Sequence, residues 1–200
     1  MRNSLKIAAK SHDKTNEITL LHNDLGFITI RPGITTKQIN ELLQVSKIDK
    51  TVNQYTLDSK RFKNRETYNK WLQKGRLPYT LSNKSGNLLG LIWFRRAEFP
   101  KVILHPSHKK LDTKKYTITF AVRTYAEARG RGLARKFIIN SMRLYQQSPE
   151  YASNDGKGIW LTTSLHNLAA VNTYKTLFTQ VTKPTKQGKI VMVLDPQNIY

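Results

Sequence analysis

The feature that most constrains the fold of this chain is a strand, a glycine-rich run and a helix that follow one another directly. Residues 116–122, Tyr-Thr-Ile-Thr-Phe-Ala-Val, alternate large apolar with smaller side chains, the pattern of a half-buried strand. The run Arg129-Gly-Arg-Gly-Leu-Ala134 then opens a helix that we predict to reach about Gln146. A strand that passes through a tight turn into a helix is typical of a layered α/β protein.

The rest of the chain also contains predicted strands and helices. A capping box of Thr35 and Gln38 predicts where the first helix begins. We predict further strands at 26–31, 78–82, 88–94, 158–163, 179–182 and 189–194, and helices at 35–46, 64–75 and 167–178. Residues 97–114 have the pattern of a loop, and residues 1–25 predict no definite element. The sequence therefore predicts one α/β domain over residues 1–200 with a mixed sheet, residues 1–25 being an N-terminal extension.

The composition excludes several classes of protein. No cysteine is present, which rules out disulfides, a thiol nucleophile and cysteine-ligated metal sites, and we expect no other metal site. No apolar run approaches the roughly 20 residues that span a membrane, and the first ten residues lack an apolar core of secretory length. We therefore expect a cytoplasmic protein without a membrane contact. Its oligomeric state stays open.

The chain is strongly basic, with 34 Lys and Arg against 13 Asp and Glu and a net charge of +21. The excess is spread evenly: 18 basic and 8 acidic residues lie in the first hundred, and 16 and 5 in the second. Such a charge favours a polyanion nearby, for example RNA, the ribosome or an anionic cofactor. Solvated surface lysines explain it equally well.

The glycine-rich run has the properties of an anion-binding turn. The first amides of a helix lack intrahelical partners, and the helix dipole favours negative charge there. Glycines let a ligand oxygen approach the backbone, and Arg129, Arg131, Arg135 and Lys136 add positive charge. No Gly-Lys-Ser/Thr follows, which excludes a Walker loop, and Arg135 replaces the third glycine of a dinucleotide fingerprint. A plain glycine turn with solvated arginines stays open as the alternative.

A second group of residues lies at the last predicted helix. Asn167 begins this helix, where its side chain can cap the helix or hold a ligand. Tyr174 lies two turns further on and shares its face, and a phenol can donate a proton to a leaving group. The alternative is a core tyrosine that packs beside Val171 and Phe178.

Together the two groups resemble the GNAT superfamily of acyl-CoA-dependent N-acyltransferases. The loop pattern of that family, Arg/Gln-x-x-Gly-x-Gly/Ala, is met by Arg129, Gly132 and Ala134. Its later pattern of an Asn, a Tyr seven residues on and an apolar-Phe pair is met by Asn167, Tyr174 and Leu177-Phe178. The resemblance implies a mixed, mostly antiparallel central sheet flanked by helices. It is specific over residues 116–194.

The resemblance also implies roles for individual residues. Phe120, Ala121 and Val122 would pair their backbone with the pantetheine arm of acetyl-CoA, and Asn167 would contact the same arm. Tyr174 would protonate the departing CoA thiolate, and the acetyl group would pass directly to an amine. The cofactor-binding residues that would hold the pyrophosphate are Arg129, Gly130, Arg131, Gly132, Leu133, Ala134 and Arg135.

The chain departs from the family pattern in three places, one of which is Leu177, where a glycine usually precedes the Phe of the last helix. The link from Val122 to Arg129 is about two residues longer than usual and lacks the usual proline. No carboxylate stands at Thr162-Thr163-Ser164, where several family members have a glutamate as general base. Water, Glu127, Glu98 and His166 stay open for that role.

The acceptor is less constrained than the acyl donor. A protein of charge +21 repels polyamines and attracts RNA, ribosomes and nucleotide-linked amines, so we expect the acceptor amine on or near an anionic macromolecule. Two alternatives stay open. One is a nucleic-acid-binding module without acyl transfer, and the other is a protein that binds CoA without catalysis.

Overall fold

The computed structural model describes residues 16–198. Its strands are β1 (Ile18–His22), β2 (Gly26–Pro32), β3 (Leu77–Asn83), β4 (Leu88–Arg96), β5 (Tyr116–Thr124), β6 (Gly158–Ser164), β7 (Thr179–Gln180) and β8 (Lys189–Leu194). Its α-helices are α1 (Thr36–Ile48), α2 (Lys50–Tyr55), α3 (Asp58–Arg61), α4 (Arg65–Leu72), α5 (Leu133–Gln146), α6 (Pro149–Ala152) and α7 (Leu168–Lys175). Short 3₁₀ helices lie at Pro106–His108, Thr113–Lys115 and Pro196–Asn198.

The eight strands form one sheet in the hydrogen-bonded order β1-β2-β3-β4-β5-β6-β8-β7. The pairs β1–β2, β2–β3, β6–β8 and β7–β8 are antiparallel, whereas β5 and β6 run parallel. A parallel pair needs a crossover, and α5 and α6 provide it between β5 and β6. The predicted α/β class with a mixed, mostly antiparallel sheet is confirmed. Among the described helices, none is long and apolar enough to cross a membrane.

The chain divides into two compact units, and the first contains the chain up to Trp93 together with Val122–Leu144. Its core includes an aromatic cluster of Phe62, Tyr68, Trp71 and Trp93, in which neighbouring ring centroids lie 5.0–6.4 Å apart. Tilted and edge-on rings at such distances add stability beyond the area they bury.

The second unit contains Phe94–Ala121 and the chain from Tyr145 onwards. One of its core clusters is formed by Tyr116, Val181, Val191 and Val193. The predicted loop 97–114 covers this cluster with side chains from Phe99, Val102, Leu104 and Leu111. His105 also donates its amide to the Val181 carbonyl at 2.8 Å, so the loop is tied to the sheet. The single-domain boundary stays a prediction.

The starts of the capped helices α1 and α4 agree with the sequence. The Gln38 amide donates to Thr35 Oγ1 at 3.2 Å, and the Thr35 amide donates to Gln38 Oε1 at 3.1 Å, which completes the predicted capping box of α1. Asn64 caps α4 in the same reciprocal way with Thr67. These contacts satisfy amides that a helix leaves without partners.

Four short elements were not predicted: β1, α2, α3 and α6. Strand β1 lies within the predicted extension 1–25 and pairs with β2, through a turn that ends at Gly26 with φ of +64°. The part of that extension before residue 16 lies outside the described residues. Helix α7 ends at Lys175 rather than Phe178. In its last turn the Thr176 hydroxyl donates to the Thr173 carbonyl, a local bond that competes with helix continuation.

Candidate active site

The glycine turn, residues 125–132, connects β5 to α5 within the first unit. Ala128 and Arg129 donate their amides to the Tyr125 carbonyl at 2.9 and 3.0 Å. Gly130 and Gly132 adopt φ of +77° and +69°, a region that side chains with a Cβ disfavour. A Cβ at either position would meet no atom within 4 Å. The glycines are therefore required by backbone conformation, and the space in front of them is open.

The amides of the last three residues of this turn are open to a ligand. Among residues 16–198, no backbone hydrogen bond starts from the amides of residues 130–132. Helix α5 begins directly afterwards at Leu133 and is 14 residues long, and the amides of its first turn have no intrahelical acceptor. Successive amides at the positive end of a helix dipole form a site for a phosphate or pyrophosphate.

The guanidinium groups of Arg129 and Arg131 are bound to carboxylates and are not free to face the open space at Gly130 and Gly132. Arg129 Nη2 lies 2.6 Å from Asp49 Oδ2, and Arg131 Nη1 lies 2.9 Å from Asp24 Oδ2. The Arg131 Nε also donates to the Glu127 carbonyl at 2.8 Å. Two of the predicted cations are thus paired with carboxylates. An anion at this turn would meet mainly backbone amides, with Arg135 exposed beside them.

The end of β5 in the second unit leaves its parallel neighbour. The register of β5 and β6 runs from Tyr116↔Gly158 to Thr119↔Trp160, and both strands continue beyond that pair. Phe120 and Ala121 therefore lie past the last paired residues of the two strands. Polar backbone groups at such a divergence need other partners, and an extended ligand can supply them.

Tyr174 and Phe120, which the sequence places 54 residues apart, lie side by side in the second unit. Their ring centroids are 6.0 Å apart at 87°, and the Tyr174 ring also meets Phe178 at 6.1 Å and 76°. The Tyr174 residue is only 8% exposed. The packing predicted for a core tyrosine is present, and the ring is fixed next to the strand end predicted to bind pantetheine.

Asn167 caps α7. Its Oδ1 accepts from the Ala170 amide at 3.2 Å, and its own amide donates to the Ser164 carbonyl at 3.1 Å. The side-chain oxygen is thus used by the helix, which leaves the side-chain NH₂ as the group for a ligand.

The three candidate bases all lie at exposed positions. Glu98 and His166 belong to the second unit, and Glu127 belongs to the first, where Asn83 Nδ2 lies 3.4 Å from its Oε1. Burial does not distinguish among the three, so the choice of base stays open.

Two buried carboxylates at the glycine turn were not anticipated. Asp49 and Asp58 have side chains 6% and 0% exposed, and they pair with Arg129 and Arg123 respectively. Tyr125 lies between these pairs in sequence and is 4% exposed. Burial raises the pKa of its hydroxyl far above 10, and the charge of Asp58 raises it further, so the phenol stays neutral.

The arrangement of strands and helices is that of the GNAT superfamily, and the chain has the GNAT fold. The predicted resemblance is confirmed at the level of the fold. A GNAT domain of an S. lividans protein named PAT has a similar structure. The two structures superpose with a TM-score of 0.60 over 90% of this chain and 97% of that one, at 14% identity.

Two further solved structures are similar over most of their length. An uncharacterized protein from Bacillus halodurans matches with a TM-score of 0.62 at 12% identity, covering 94% of this chain and 93% of its own. The spermidine N-acetyltransferase of Vibrio cholerae, solved with CoA and spermine, matches with a TM-score of 0.50 at 14% identity, covering 83% and 92%. Compared by sequence, the chain matches no family model and no curated protein. At these identities the likeness is one of fold.

Proposed function

We propose that this protein is an N-acetyltransferase that moves an acetyl group from acetyl-CoA directly to an amine. One observation carries the proposal. In a chain with the GNAT fold, a turn with two positive-φ glycines leaves the amides of residues 130–132 without backbone partners immediately before α5. That arrangement suits the pyrophosphate of CoA.

The residues present fit the parts of this cosubstrate. In the proposal, the backbone of residues 129–135 binds the pyrophosphate, and the open space at Gly130 and Gly132 admits it. The backbone of residues 120–122 and the Asn167 side chain bind the pantetheine arm. When bound, acetyl-CoA supplies an activated thioester, so that no enzyme nucleophile is required.

Tyr174 is the proposed proton donor. Its hydroxyl gives a proton to the departing thiolate, and its ring is held in place by Phe120 and Phe178. A fixed ring restricts where the hydroxyl can be, which is a requirement of efficient proton transfer.

Calorimetric titration with acetyl-CoA tests the binding half of the proposal. Gly132→Ala strains a residue at φ +69° and displaces the amides, so we expect its affinity to fall on the order of tenfold or more. Gly75→Ala is the matched control, because Gly75 has φ of +68° and equally open space at the end of α4. Both variants lose about 1 kcal/mol of stability, whereas only the first loses affinity. Equal affinity in the two variants would contradict the assignment.

Thiol release tests the catalytic half. Acetyl-CoA and a panel of amines should yield free CoA with the wild-type protein. Binding without release would instead favour a protein that binds CoA and does not catalyse.

Thermal unfolding tests the remaining alternative, a nucleic-acid-binding module. A ligand at one hundred times its Kd stabilises the folded state by about 2.7 kcal/mol. Stabilisation by an oligonucleotide but not by acetyl-CoA would favour a nucleic-acid-binding module.

We propose further that the acceptor amine is carried on, or bound near, an anionic macromolecule such as RNA or the ribosome. The support is the net charge of +21, which disfavours the approach of a polycation such as spermidine. Turnover with an RNA-linked amine should then fall steeply between low and high salt. Turnover that does not depend on salt would remove this support.

A further inference from the structure

Residues 123–129, which lead into the glycine turn and form its first part, are attached at two points to one segment of the first unit, residues 49–58. At the start of the turn, Arg123 Nε donates to Asp58 Oδ2 at 2.6 Å and Nη2 donates to Oδ1 at 3.3 Å. Further along, Arg129 Nη2 donates to Asp49 Oδ2 at 2.6 Å. Residues 123–129 are therefore held by two arginine–aspartate pairs that the chain brings together over 65 and 80 residues.

The Arg123–Asp58 pair also fixes the strand end. Arg123 Nη1 donates to the Val122 carbonyl at 2.8 Å, next to the backbone proposed to bind pantetheine. Asp58 is fully buried and is also paired with Arg61. A buried carboxylate is costly unless it is paired, and removing one partner leaves an uncompensated charge. The carboxylate thus holds Arg123 in one position.

The Asp49–Arg129 pair fixes the glycine-rich end. Asp49 Oδ1 accepts from the Val52 amide at 3.0 Å and caps α2, so the carboxylate itself cannot rotate away. Arg129 Nη2 additionally lies 3.3 Å from the Thr124 carbonyl. The guanidinium therefore ties the first residue of the glycine-rich run to both the cap of α2 and the end of β5.

Tyr125 completes the attachment between the two pairs. Its amide donates to the Leu89 carbonyl at 2.9 Å, and its carbonyl accepts from Ala128 and Arg129. Residues 123, 125 and 129 thus each have a directional bond to another segment of the first unit. The amides of residues 130–132 follow directly, and Arg131 is bound separately through its pair with Asp24.

We propose that Asp49 and Asp58 are positioning residues: through Arg129 and Arg123 they hold the glycine turn in the conformation that presents its amides to a pyrophosphate. The inference rests on the proposed function for the identity of the ligand. In it, Arg129 acts through the backbone geometry of the turn and does not bind the ligand with its side chain.

Asp49→Asn is the sharpest test. Asparagine caps a helix as well as aspartate does, so α2 keeps its N-cap, while the amide that replaces Oδ2 no longer carries the charge that binds Arg129. Asp112→Asn is the matched control, because Asp112 caps a short 3₁₀ turn with its side chain, accepting from the Lys114 amide at 3.2 Å. Arg129→Gln removes the other partner and carries the same test if Asp49→Asn does not fold.

Four measurements separate positioning from simple loss of stability. We expect Asp49→Asn to bind CoA on the order of tenfold more weakly than the wild type and Asp112→Asn. Its affinity for pantetheine, which has no pyrophosphate, should not change. Amide hydrogen exchange over residues 125–132 should be faster in the ligand-free variant. The double variant with Arg129→Gln should lose no more affinity than either single variant, because the two residues act as one pair.

The outcomes are distinguishable. Wild-type exchange at residues 125–132 in Asp49→Asn overturns the positioning role, and so does an equal loss of affinity for CoA and pantetheine. A wild-type protein that binds no CoA overturns the proposed function. The exchange measurement still decides whether the aspartates hold the turn.

Discussion

Tyr174 combines packing contacts with the proposed role of proton donor. Its ring lies against Phe120 and Phe178, and the residue is 8% exposed. Burial of a tyrosine ring stabilises the fold whether or not its hydroxyl takes part in a reaction. Only a change confined to the hydroxyl separates the two roles.

Tyr174→Phe makes that change. Because the ring remains, we expect near-normal stability and CoA affinity, while kcat falls by about a hundredfold through loss of the proton donor. Steady-state thiol release and a binding titration measure the two quantities. Tyr151→Phe, which removes a hydroxyl from α6, is the control and should keep its kcat. An unchanged kcat in Tyr174→Phe would leave only the packing role.

Arg129 and Arg131 show where reasoning from residue types failed to place a side chain. Both lie in the glycine-rich run, and their spacing predicted positive charge around a bound anion. Their guanidinium groups instead pair with Asp49 and Asp24, which are 80 and 107 residues away in the sequence. Neither partner belongs to a recognisable motif, so no local pattern could have predicted the pairs.

At the scale of elements, prediction succeeded where the signal was local. The starts of α1 and α4 are set by capping side chains three residues from their targets, and the start of α5 by positive-φ glycines. Helices α2 and α3 have only six and four residues, too few for helical periodicity to be recognised. Asp49 caps α2 and Asp58 begins α3, so the carboxylates that pair with Arg129 and Arg123 lie at these two short helices.

Gly90 in β4 shows how tightly the elements of the first unit approach one another. A Cβ at this position would lie 2.8 Å from the Arg123 carbonyl oxygen and 3.1 Å from the Phe137 ring. We expect Gly90→Ala to lower the free energy of unfolding by about 1–3 kcal/mol and Gly90→Val to lower it further. Urea denaturation measures both. Wild-type stability in the alanine variant would mean that the strand, α5 and Arg123 can separate at little cost.

At the scale of the whole molecule, buried tyrosines predict sensitivity to alkali. Burial raises the pKa of Tyr145 to about 12 and that of Tyr116 further, where a hydrogen bond to Asp195 adds to the effect. A group with a raised folded-state pKa contributes stability that is complete below its unfolded pKa of about 10. That stability is lost as the pH rises from about 10 to 12.

Tyr145→Phe tests the contribution of one such group. The ring stacks on Phe94 at 4.4 Å, and phenylalanine preserves that contact. We expect the variant to lose less of its free energy of unfolding between pH 8 and pH 11 than the wild type does, because it no longer has a phenol to ionise. Urea denaturation at the two pH values gives the difference. Equal losses in both proteins would assign the alkaline sensitivity to other groups.

The sequence by itself determined the types and order of the main elements, the capped starts of α1, α4 and α7, and the glycine turn. Each depends on backbone preferences and contacts within a few residues, which a linear pattern records. The tertiary structure decided which charges pair, that Phe120 meets Tyr174, and that β1 adds to the sheet. Those outcomes depend on residues tens of positions apart, whose meeting is fixed only when the whole chain has packed.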